Sequence, residues 1–331
     1  MCKDLIMKAF VIGYRNHAAR IINYLIESKA IDRVLVFHLS DKSINEEYLS
    51  SSKISMTSIF SDVLGCDLVF IASPSSTHIQ YLKKLNSIFK TKLPYIYCEK
   101  PAAVSYDEID YLKRNSNLFS KKVFFGFNLV YSNWFKNFSS SLKEEKCGKP
   151  VCFLVQITHG LAFKENMNNN WRFSHRNIFS SITGNLAIHF VHASLTLFGE
   201  IEKVNFLSAN NARHMNEDTV IISIEHKNGV LSNIFSSYAT VYSKKISLFL
   251  SDGELRFDGL NTTTYSPRDS FDEFGNYKTP PIISKTDIIE HSVNSLHRAI
   301  EFFISKSKKY SEFEEEHYFN ALKTSELILS L

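Results

Sequence analysis

The chain has 331 residues, which at a usual domain size of ~150 residues is enough for two domains. Hydrophobic residues make up 44% and charged residues 22% of the sequence, proportions that exclude intrinsic disorder as its main state. Lysine and arginine outnumber aspartate and glutamate by 38 to 34, but the basic residues are scattered, so we expect no nucleic-acid partner. No apolar run approaches the ~18 residues of a membrane span, so we expect no membrane partner either.

The first part of the chain alternates between two hydrophobic patterns. Short apolar runs typical of buried strands lie at residues 8–12, 33–37, 67–72, 95–99 and 122–127. Segments with helical spacing lie between them, at residues 17–29, 77–89 and 107–115. Strands that alternate with helices form parallel, doubly wound sheets, so we predict such an α/β domain for residues 1–125.

The remaining residues, 126–331, contain mainly strands in series. Strand patterns lie at residues 151–158, 203–209, 218–226, 230–238, 245–250 and 254–257, and Asn228-Gly229 is a strong hairpin-turn sequence. We predict one apolar helix at 183–198, a polar irregular segment at 261–285 and two closing helices at about 286–305 and 313–330. This order predicts a second α/β domain with an open, mostly antiparallel sheet and helices on one face.

Five cysteines, at positions 2, 66, 98, 147 and 152, form no C-x-x-C pair. Cys147 and Cys152 are too far apart for a zinc knuckle and have no matching second pair. The first four residues lack the layout of a signal peptide. Reduced thiols and a cytoplasmic location are the simplest interpretation.

The turn after the first strand is Gly13-Tyr14-Arg15-Asn16-His17-Ala18. A dinucleotide-binding fold carries G-x-G-x-x-G/A at this place. The first glycine and the small third residue are present, but Arg15 replaces the glycine that lets the backbone approach a diphosphate. The turn is therefore either a modified dinucleotide-binding turn or an ordinary strand–helix connection.

The end of the second strand carries His38, where an acidic residue would bind the 2′-hydroxyl of an adenosine. Ser40 and Lys42 follow it and could face a 2′-phosphate, which favours NADP. The alternative interpretation is that both are surface loop residues.

Further segments follow in a recognisable order: Ile71-Ala72-Ser73-Pro74-Ser75-Ser76-Thr77-His78, Glu99-Lys100-Pro101, Gly126-Phe127-Asn128 and Trp171-Arg172. Together they resemble the Gfo/Idh/MocA family of NAD(P)-dependent oxidoreductases over nearly the whole chain. The resemblance implies a Rossmann domain at 1–125, a substrate-binding and oligomerisation domain at 126–331, and a homodimer or homotetramer.

The resemblance implies that Lys100 is catalytic, that Glu99 contacts the nicotinamide ribose and that Pro101 stiffens the turn. A lysine at the carboxyl end of a buried strand is partly desolvated, which lowers its pKa towards that of a proton acceptor. The residues expected to contact NAD or NADP are Gly13, Arg15, Asn16, Ala18, His38, Ser40, Lys42, Ser73, Pro74, Thr77, His78, Glu99, Lys100, Pro101 and Asn128.

The family also carries a helix with the pattern G-x-x-x-x-D-x-x-x-H. Alignment on the closing Leu-Phe-Gly places Asn185 on the family aspartate, His189 on the family histidine and His192 on a further position that is often aspartate. Spacings of four and three put these residues on one helical face, which favours a lined pocket over core histidines. Zinc binding by the histidine pair is an alternative, but no third ligand is evident.

The function that the resemblance implies is hydride transfer between nicotinamide and a hydroxyl or keto carbon of a sugar or nucleotide-linked sugar. Lys100 exchanges the hydroxyl proton, and His189 and Asn185 assist. Tyr131, Trp171, Arg172 and His192 line the substrate, with Arg172 binding a phosphate or carboxylate, or else forming a surface ion pair. Because Asn185 and Arg15 depart from the family, a catalytically weakened binding protein, or a lyase or hydrolase that uses tightly bound NAD transiently, remains an alternative.

Overall fold

The computed structural model describes residues 6–39, 51–90, 92–165, 172, 178–213, 216–287 and 292–331, apart from the side chains of Asn16 and Ser292. Contacts between Cα atoms divide the chain into two compact units. The first unit consists of the residues up to Phe127 together with Leu296–Leu329, and the second consists of Asn128–Ser295 with the last two residues.

The strands of the described residues are β1 (Met7–Ile12), β2 (Ile31–Phe37), β3 (Ile54–Thr57), β4 (Leu68–Ile71), β5 (Tyr95–Cys98), β6 (Val123–Phe125), β7 (Pro150–Thr158), β8 (Ile201–Ala209), β9 (Thr219–His226), β10 (Leu231–Ser237), β11 (Ser243–Leu250), β12 (Gly253–Phe257), β13 (Asn261–Tyr265) and β14 (Ile282–Asp287). The α-helices are α1 (Asn16–Glu27), α2 (His78–Phe89), α3 (Tyr106–Arg114), α4 (Ser116–Phe119), α5 (Asn133–Glu144), α6 (Ile188–Phe198), α7 (Ser292–Lys308) and α8 (Glu315–Ser330).

The first unit contains a six-stranded sheet in the order β3-β2-β1-β4-β5-β6, and every neighbouring pair is parallel. The central strands β4 and β5 are buried along their whole length, as expected for a sheet covered on both faces. The amphipathic helix α1 buries Ile21, Ile22 and Leu25. The predicted doubly wound parallel sheet is confirmed.

The closing helices pack within the first unit, which differs from the predicted second domain of 126–331. Phe303 of α7 is fully buried, with its ring centroid 5.2 Å from that of Phe70 on β4 and 5.6 Å from that of Tyr97 on β5. The hydroxyl of Tyr318 on α8 donates to the carbonyl of Leu112 on α3. Aromatic burial against the parallel sheet therefore brings residues 296–329 back to the first unit.

The second unit contains an eight-stranded sheet in the order β14-β13-β12-β11-β7-β10-β9-β8. Only the β10–β7 pair is parallel among these described strands, so the predicted open, mostly antiparallel sheet is confirmed. The hairpin between β9 and β10 turns at Gly229, whose φ of 83° suits glycine.

Helices α5 and α6 cover one face of this sheet. Trp134 of α5 is fully buried, and its ring is stacked with those of Phe153 on β7, Phe257 on β12 and Phe190 on α6. Phe198 at the end of α6 also contacts Phe153, with centroids 5.7 Å apart. This aromatic layer fixes the position of α6 over the sheet.

Four local predictions differ from the structure. The short edge strand β3 and the helix α5 were not predicted, and the segment 261–285, predicted to be irregular, contains β13 and part of β14. The predicted helix 183–198 begins with a π-helical turn at Thr183–Ala187 before α6. Gly184 allows this turn, because a Cβ there would lie 2.4 Å from the Cα of Phe179.

Among the helices of the described residues, none is both long and apolar enough to cross a bilayer.

Candidate functional site

The carboxyl ends of the parallel strands in the first unit carry the predicted dinucleotide-binding residues. Gly13 follows β1, His38 follows β2, Ser73 closely follows β4, and Glu99 follows β5. The strand order reverses between β1 and β4, and open α/β sheets bind ligands in the crevice at such a reversal.

Gly13 lies directly against the turn that follows β4. Its φ is +110°, and a Cβ built on it would lie 2.8 Å from the carbonyl oxygen of Ala72 and 3.2 Å from the amide nitrogen of Ser73. Only glycine therefore lets the turn after β1 lie against the turn after β4.

The amino terminus of α1 fits an anionic ligand. Arg15 precedes the helix in an extended conformation, and its guanidinium can donate but not accept, so the cap residue does not occupy the first-turn N–H groups. The first turn has no acidic residue, and the exposed side chains of Arg15 and Arg20 lie just before and just after it in the chain. Helix amino termini of this kind bind diphosphates, so the residues fit a dinucleotide.

Other predicted residues of this turn have different positions. Ala18 is fully buried, where its small side chain allows α1 to pack closely. The ring of His38 lies edge-on to that of Tyr14, with centroids 6.3 Å apart. Ser40 and Lys42 lie outside the described residues, as does the side chain of Asn16.

The turn after β4 is tied together by side-chain hydrogen bonds. The hydroxyls of Ser73 and Thr77 lie 2.7 Å apart, and Thr77 also donates to the carbonyl of Pro74. His78 is 1% exposed, with Nε2 3.0 Å from the carbonyl oxygen of Ser73 and Nδ1 3.3 Å from that of Pro101. Burial lowers the pKa of His78, and because a neutral imidazole carries a single N–H, the ring donates to one of these two carbonyl oxygens and packs against the other.

Glu99 is a buried carboxylate held from two sides. Its Oε1 lies 2.8 Å from Nε2 of His17, and its Oε2 accepts the amide N–H of Lys100 at 3.3 Å. Burial acts to raise the pKa of Glu99, but the charge and hydrogen bond of His17 and the charge of Lys100 outweigh burial and leave that pKa lowered. Gly126 keeps the space beside Glu99 open, because a Cβ there would lie 3.1 Å from Oε1.

Lys100 itself is half-buried, and Pro101 after it is buried. Asn128 and Tyr131 belong to the second unit, in the 3₁₀ turn Asn128–Tyr131. There the amide of Asn128 donates to the hydroxyl of Ser295 at 3.0 Å, and Tyr131 is half-buried. Trp171 lies outside the described residues.

A separate polar cluster in the second unit surrounds Tyr238. The amide of Asn185, in the π-helical turn, donates to the Tyr238 hydroxyl at 2.8 Å. Burial raises the pKa of Tyr238, while the charge of Arg172 and hydrogen bonds from Asn185 and Arg172 partly oppose that rise. Tyr238 therefore remains a neutral phenol that receives two donors.

Arg172 is part of this cluster. Asn216, which is 2% exposed, donates to its carbonyl oxygen at 2.7 Å. The His159 ring lies 4.7 Å from that of Tyr238, and burial together with the Arg172 charge lowers the pKa of His159. The contacts with Tyr238 explain the position of Arg172 better than a surface ion pair does.

The two predicted helix histidines differ in burial. His189 is half-buried near the start of α6, and His192 is 1% exposed. Because Asn185 lies in a π turn, the α-helical spacing used to place it on the face of His189 and His192 does not apply to it. Within the described residues, no group of three or more histidine, cysteine, aspartate or glutamate side chains is arranged for a metal ion.

Tyr238, His159 and Asn216 were not among the predicted site residues. Strands β7 and β10 are parallel, with Thr158 opposite Ser237, so the residues that follow them, His159 and Tyr238, lie side by side. The sequence analysis did not predict that these two strand ends lie together, because strands in series suggested antiparallel neighbours rather than this parallel pair.

Two family models match the chain: the oxidoreductase family with an NAD-binding Rossmann fold over residues 7–127, and the GFO/IDH/MocA C-terminal domain over residues 135–256. The chain belongs to the Gfo/Idh/MocA family. The resemblance predicted from the motifs is confirmed, and the first unit contains the family's NAD-binding Rossmann domain.

The chain is 25% identical over 222 residues to the uncharacterized oxidoreductase YrbE of Bacillus subtilis (strain 168), a match that covers 63% of this chain and 61% of that relative. It therefore spans about three-fifths of that relative's length. It is 21% identical over 252 residues to the myo-inositol 2-dehydrogenase of Thermotoga maritima, covering 71% of each. Its fold is similar to that of a myo-inositol dehydrogenase from Corynebacterium glutamicum, with a TM-score of 0.75, 16% identity and coverage of 98% and 96% of the two chains.

The first testable prediction concerns Gly13. Gly13→Ala should lower the melting temperature and weaken dinucleotide binding by about tenfold or more, ~1.4 kcal/mol, because both the positive φ and the Ala72 carbonyl oppose a Cβ. Calorimetric titration with NADH and thermal unfolding measure both effects. Gly65→Ala is the matched control, since nothing lies within 4 Å of a Cβ there. Equal behaviour of the two variants would contradict the close approach of the two turns.

The second prediction concerns Asn185. Asn185→Asp replaces a donor to Tyr238 with a carboxylate that must accept from it, so the pKa of Tyr238 should rise further. The ¹³Cζ resonance of Tyr238, assigned with Tyr238→Phe, should then titrate at higher pH in the variant. Asn233→Asp, whose amide donates to Ser223 instead, controls for the added charge. An unchanged titration would place Asn185 outside the Tyr238 cluster.

Proposed function

We propose that the protein is an NAD(P)-dependent oxidoreductase that transfers a hydride between the nicotinamide and a hydroxyl-bearing carbon of a sugar or nucleotide-linked sugar. The observation that carries the proposal is the junction in the first unit where Glu99 binds both His17 of the dinucleotide turn and the backbone of Lys100. The similarity to a myo-inositol 2-dehydrogenase supports a substrate rich in hydroxyl groups.

A nicotinamide dinucleotide, when bound, supplies the hydride acceptor or donor. The amino terminus of α1 would hold its diphosphate, and the turn at Ser73 and Thr77 would border it. Ser40 and Lys42, on which a preference for NADP depends, lie outside the described residues, so that preference stays a prediction.

Lys100 is the proposed proton acceptor in the oxidation direction. As hydride leaves the carbinol carbon, the hydroxyl proton moves to Nζ of Lys100 and a carbonyl forms; in reduction Lys100 returns the proton. The backbone of Lys100 is held on Glu99, which fixes the start of its side chain. Such positioning lowers the entropic cost of bringing the amine to the reacting hydroxyl.

The Tyr238 cluster is the proposed substrate-recognition surface of the second unit. It offers an amide from Asn185, a phenol from Tyr238, a neutral imidazole from His159 and a guanidinium from Arg172. Neutral donors and acceptors suit hydroxyl groups, and Arg172 suits a phosphate or carboxylate. His189 assists the proton transfer in this proposal.

The departures at Arg15 and Asn185 favour a second candidate, a protein that binds the same ligands without net turnover. A lyase or hydrolase that oxidises its substrate transiently with tightly bound NAD is the third. Only the oxidoreductase consumes free cofactor in proportion to substrate.

The test uses the whole chain. NAD, NADH, NADP and NADPH are titrated by calorimetry, and net nicotinamide absorbance is followed with a panel of inositols, sugars and nucleotide sugars. We expect binding of at least one dinucleotide and turnover that Lys100→Met abolishes while leaving cofactor affinity within about tenfold, ~1.4 kcal/mol. Lys8→Met, at the exposed amino end of β1, is the matched control and should behave as the unaltered protein.

Wild-type turnover in Lys100→Met would remove Lys100 from the mechanism. Binding without turnover on any substrate would favour the second candidate, and substrate conversion without net cofactor change would favour the third. No binding of any dinucleotide up to about millimolar concentration, ~−4 kcal/mol, would reject the proposal.

We also propose a homodimer or homotetramer in the cytosol. The sheet face opposite α5 and α6 exposes apolar side chains, among them Leu154, Leu207, Ile221, Leu231 and Phe249, at 36–68% of their accessible surface. An apolar sheet face is unusual on a monomer and can pair with its own copy about a two-fold axis. Sedimentation analysis should give at least twice the protomer mass of 38.0 kDa, and Ile221→Lys with Leu231→Lys should reduce it to one protomer. A monomeric unaltered protein would contradict this proposal.

A further inference from the structure

One ion pair joins the dinucleotide turn to the Glu-Lys-Pro turn. His17 is in the first turn of α1, and its Nε2 lies 2.8 Å from Oε1 of Glu99 after β5. The His17 side chain keeps 45% of its accessible surface, while that of Glu99 keeps 10%. The histidine therefore faces solvent at the helix terminus and reaches inward to a carboxylate that has little access to water.

The charges around His17 decide its protonation. Glu99 raises its pKa by charge and by hydrogen bonding, while burial and the charges of Lys100 and Arg20 oppose that rise. His78 lies beyond Glu99 and stays neutral because it is buried. The net effect is a raised pKa, so His17 carries a positive charge over a wider pH range than an unperturbed histidine does.

The sequence of the turn creates a need for this charge. Arg15 stands where a glycine would let the backbone approach a diphosphate closely. Binding must then depend less on short backbone contacts and more on charge attraction from side chains around the amino terminus of α1. Arg15, Arg20 and His17 are the basic side chains in or near the first turn of this helix.

We propose that His17 is a recognition residue for the cofactor diphosphate, and that through its ion pair with Glu99 it also positions the Lys100 turn. The proposal rests on the proposed dinucleotide function. Glu99 has two partners, His17 on Oε1 and the Lys100 amide on Oε2, so loss of the first frees the carboxylate that fixes the second. Cofactor affinity and the geometry of the Lys100 turn are therefore coupled through one histidine.

The pH dependence follows from linkage. A diphosphate binds the protonated ring better than the neutral ring, so binding raises the pKa of His17 above its value in the free protein. Affinity is highest below the free-protein pKa and falls as pH rises through that value to the pKa of the complex. Each unit of difference between the two pKa values corresponds to a tenfold loss of affinity.

The experiment measures binding rather than turnover. The dissociation constants of NADH and NADPH are determined by calorimetry between about pH 5.5 and 9, on either side of the ordinary histidine pKa. We expect the unaltered protein to lose about tenfold in affinity over this range. His17→Gln should bind weakly at every pH, and His17→Lys should bind tightly at every pH, because its charge does not titrate in this window. His297→Gln, on α7 against Tyr24, is the matched control and should keep the wild-type profile.

A second measurement tests the ion pair without any ligand. The imidazole resonances of His17 in the cofactor-free protein, assigned with His17→Gln, should titrate above the ordinary histidine pKa, and Glu99→Gln should return them towards it. This arm needs the unaltered protein and two variants, His17→Gln for the assignment and Glu99→Gln for the test, and the amide spectrum of each variant checks that it is folded.

Binding that is independent of pH, or equal in the unaltered protein and His17→Gln, would overturn the role of His17 while leaving the proposed function intact. An ordinary pKa in the cofactor-free protein would overturn the ion pair. Absence of dinucleotide binding at every pH, with the raised His17 pKa still observed, would instead reject the proposed function together with the recognition role.

Discussion

A buried carboxylate must be compensated by nearby positive charge or hydrogen-bond donors, and Glu99 imposes this constraint on the whole first unit. The carboxylate lies at the end of β5, where burial would otherwise favour its neutral form. His17 compensates it from α1 and the Lys100 amide compensates it from the next turn. The turn after β1, the end of β5 and the start of the Lys100 turn are thus required to meet. Gly126 lacks the Cβ that would crowd Glu99, and Gly13 lacks the Cβ that would collide with the turn after β4.

The alternation of patterns in the first 125 residues was sufficient to predict the parallel sheet, because buried parallel strands are continuous apolar runs. Strand β3 escaped prediction because Ile54-Ser55-Met56-Thr57 is short, half-buried and partly polar, as edge strands are. The contact between His17 and Glu99 was also beyond the sequence. Both residues belong to motifs that the sequence analysis singled out. A contact between residues 82 positions apart, however, can be recognised only once the strand order that brings the two turns together is known.

Among the described strands of the second unit, the parallel pair β7–β10 in an otherwise antiparallel sheet has chemical consequences. Parallel strands end at the same edge, so β7 and β10 deliver His159 and Tyr238 to one place. Asn185 contacts Tyr238 from a π-helical turn, and the hydrophobic periodicity of the sequence did not predict that turn. The family motif drew attention to Asn185, whose site role stays a prediction. Its partner is a tyrosine that follows a strand, and this contact does not depend on the α-helical spacing used to place Asn185.

The return of Leu296–Leu329 to the first unit makes the second unit an insertion between two segments of the first. During synthesis on the ribosome, the strands of the parallel sheet are complete once Phe125 has been made, yet Phe303 and Tyr318, which cover its aromatic core, are made only after the whole stretch from Asn128 to Ser295. The strands of the second unit, β7 to β14, are all made before α7 and α8, so the second unit can fold before the first unit is complete. The faces of Phe70, Tyr97 and Phe124 therefore stay uncovered in the nascent chain until α7 and α8 have been made, and removal of these two helices would expose the core of the first unit.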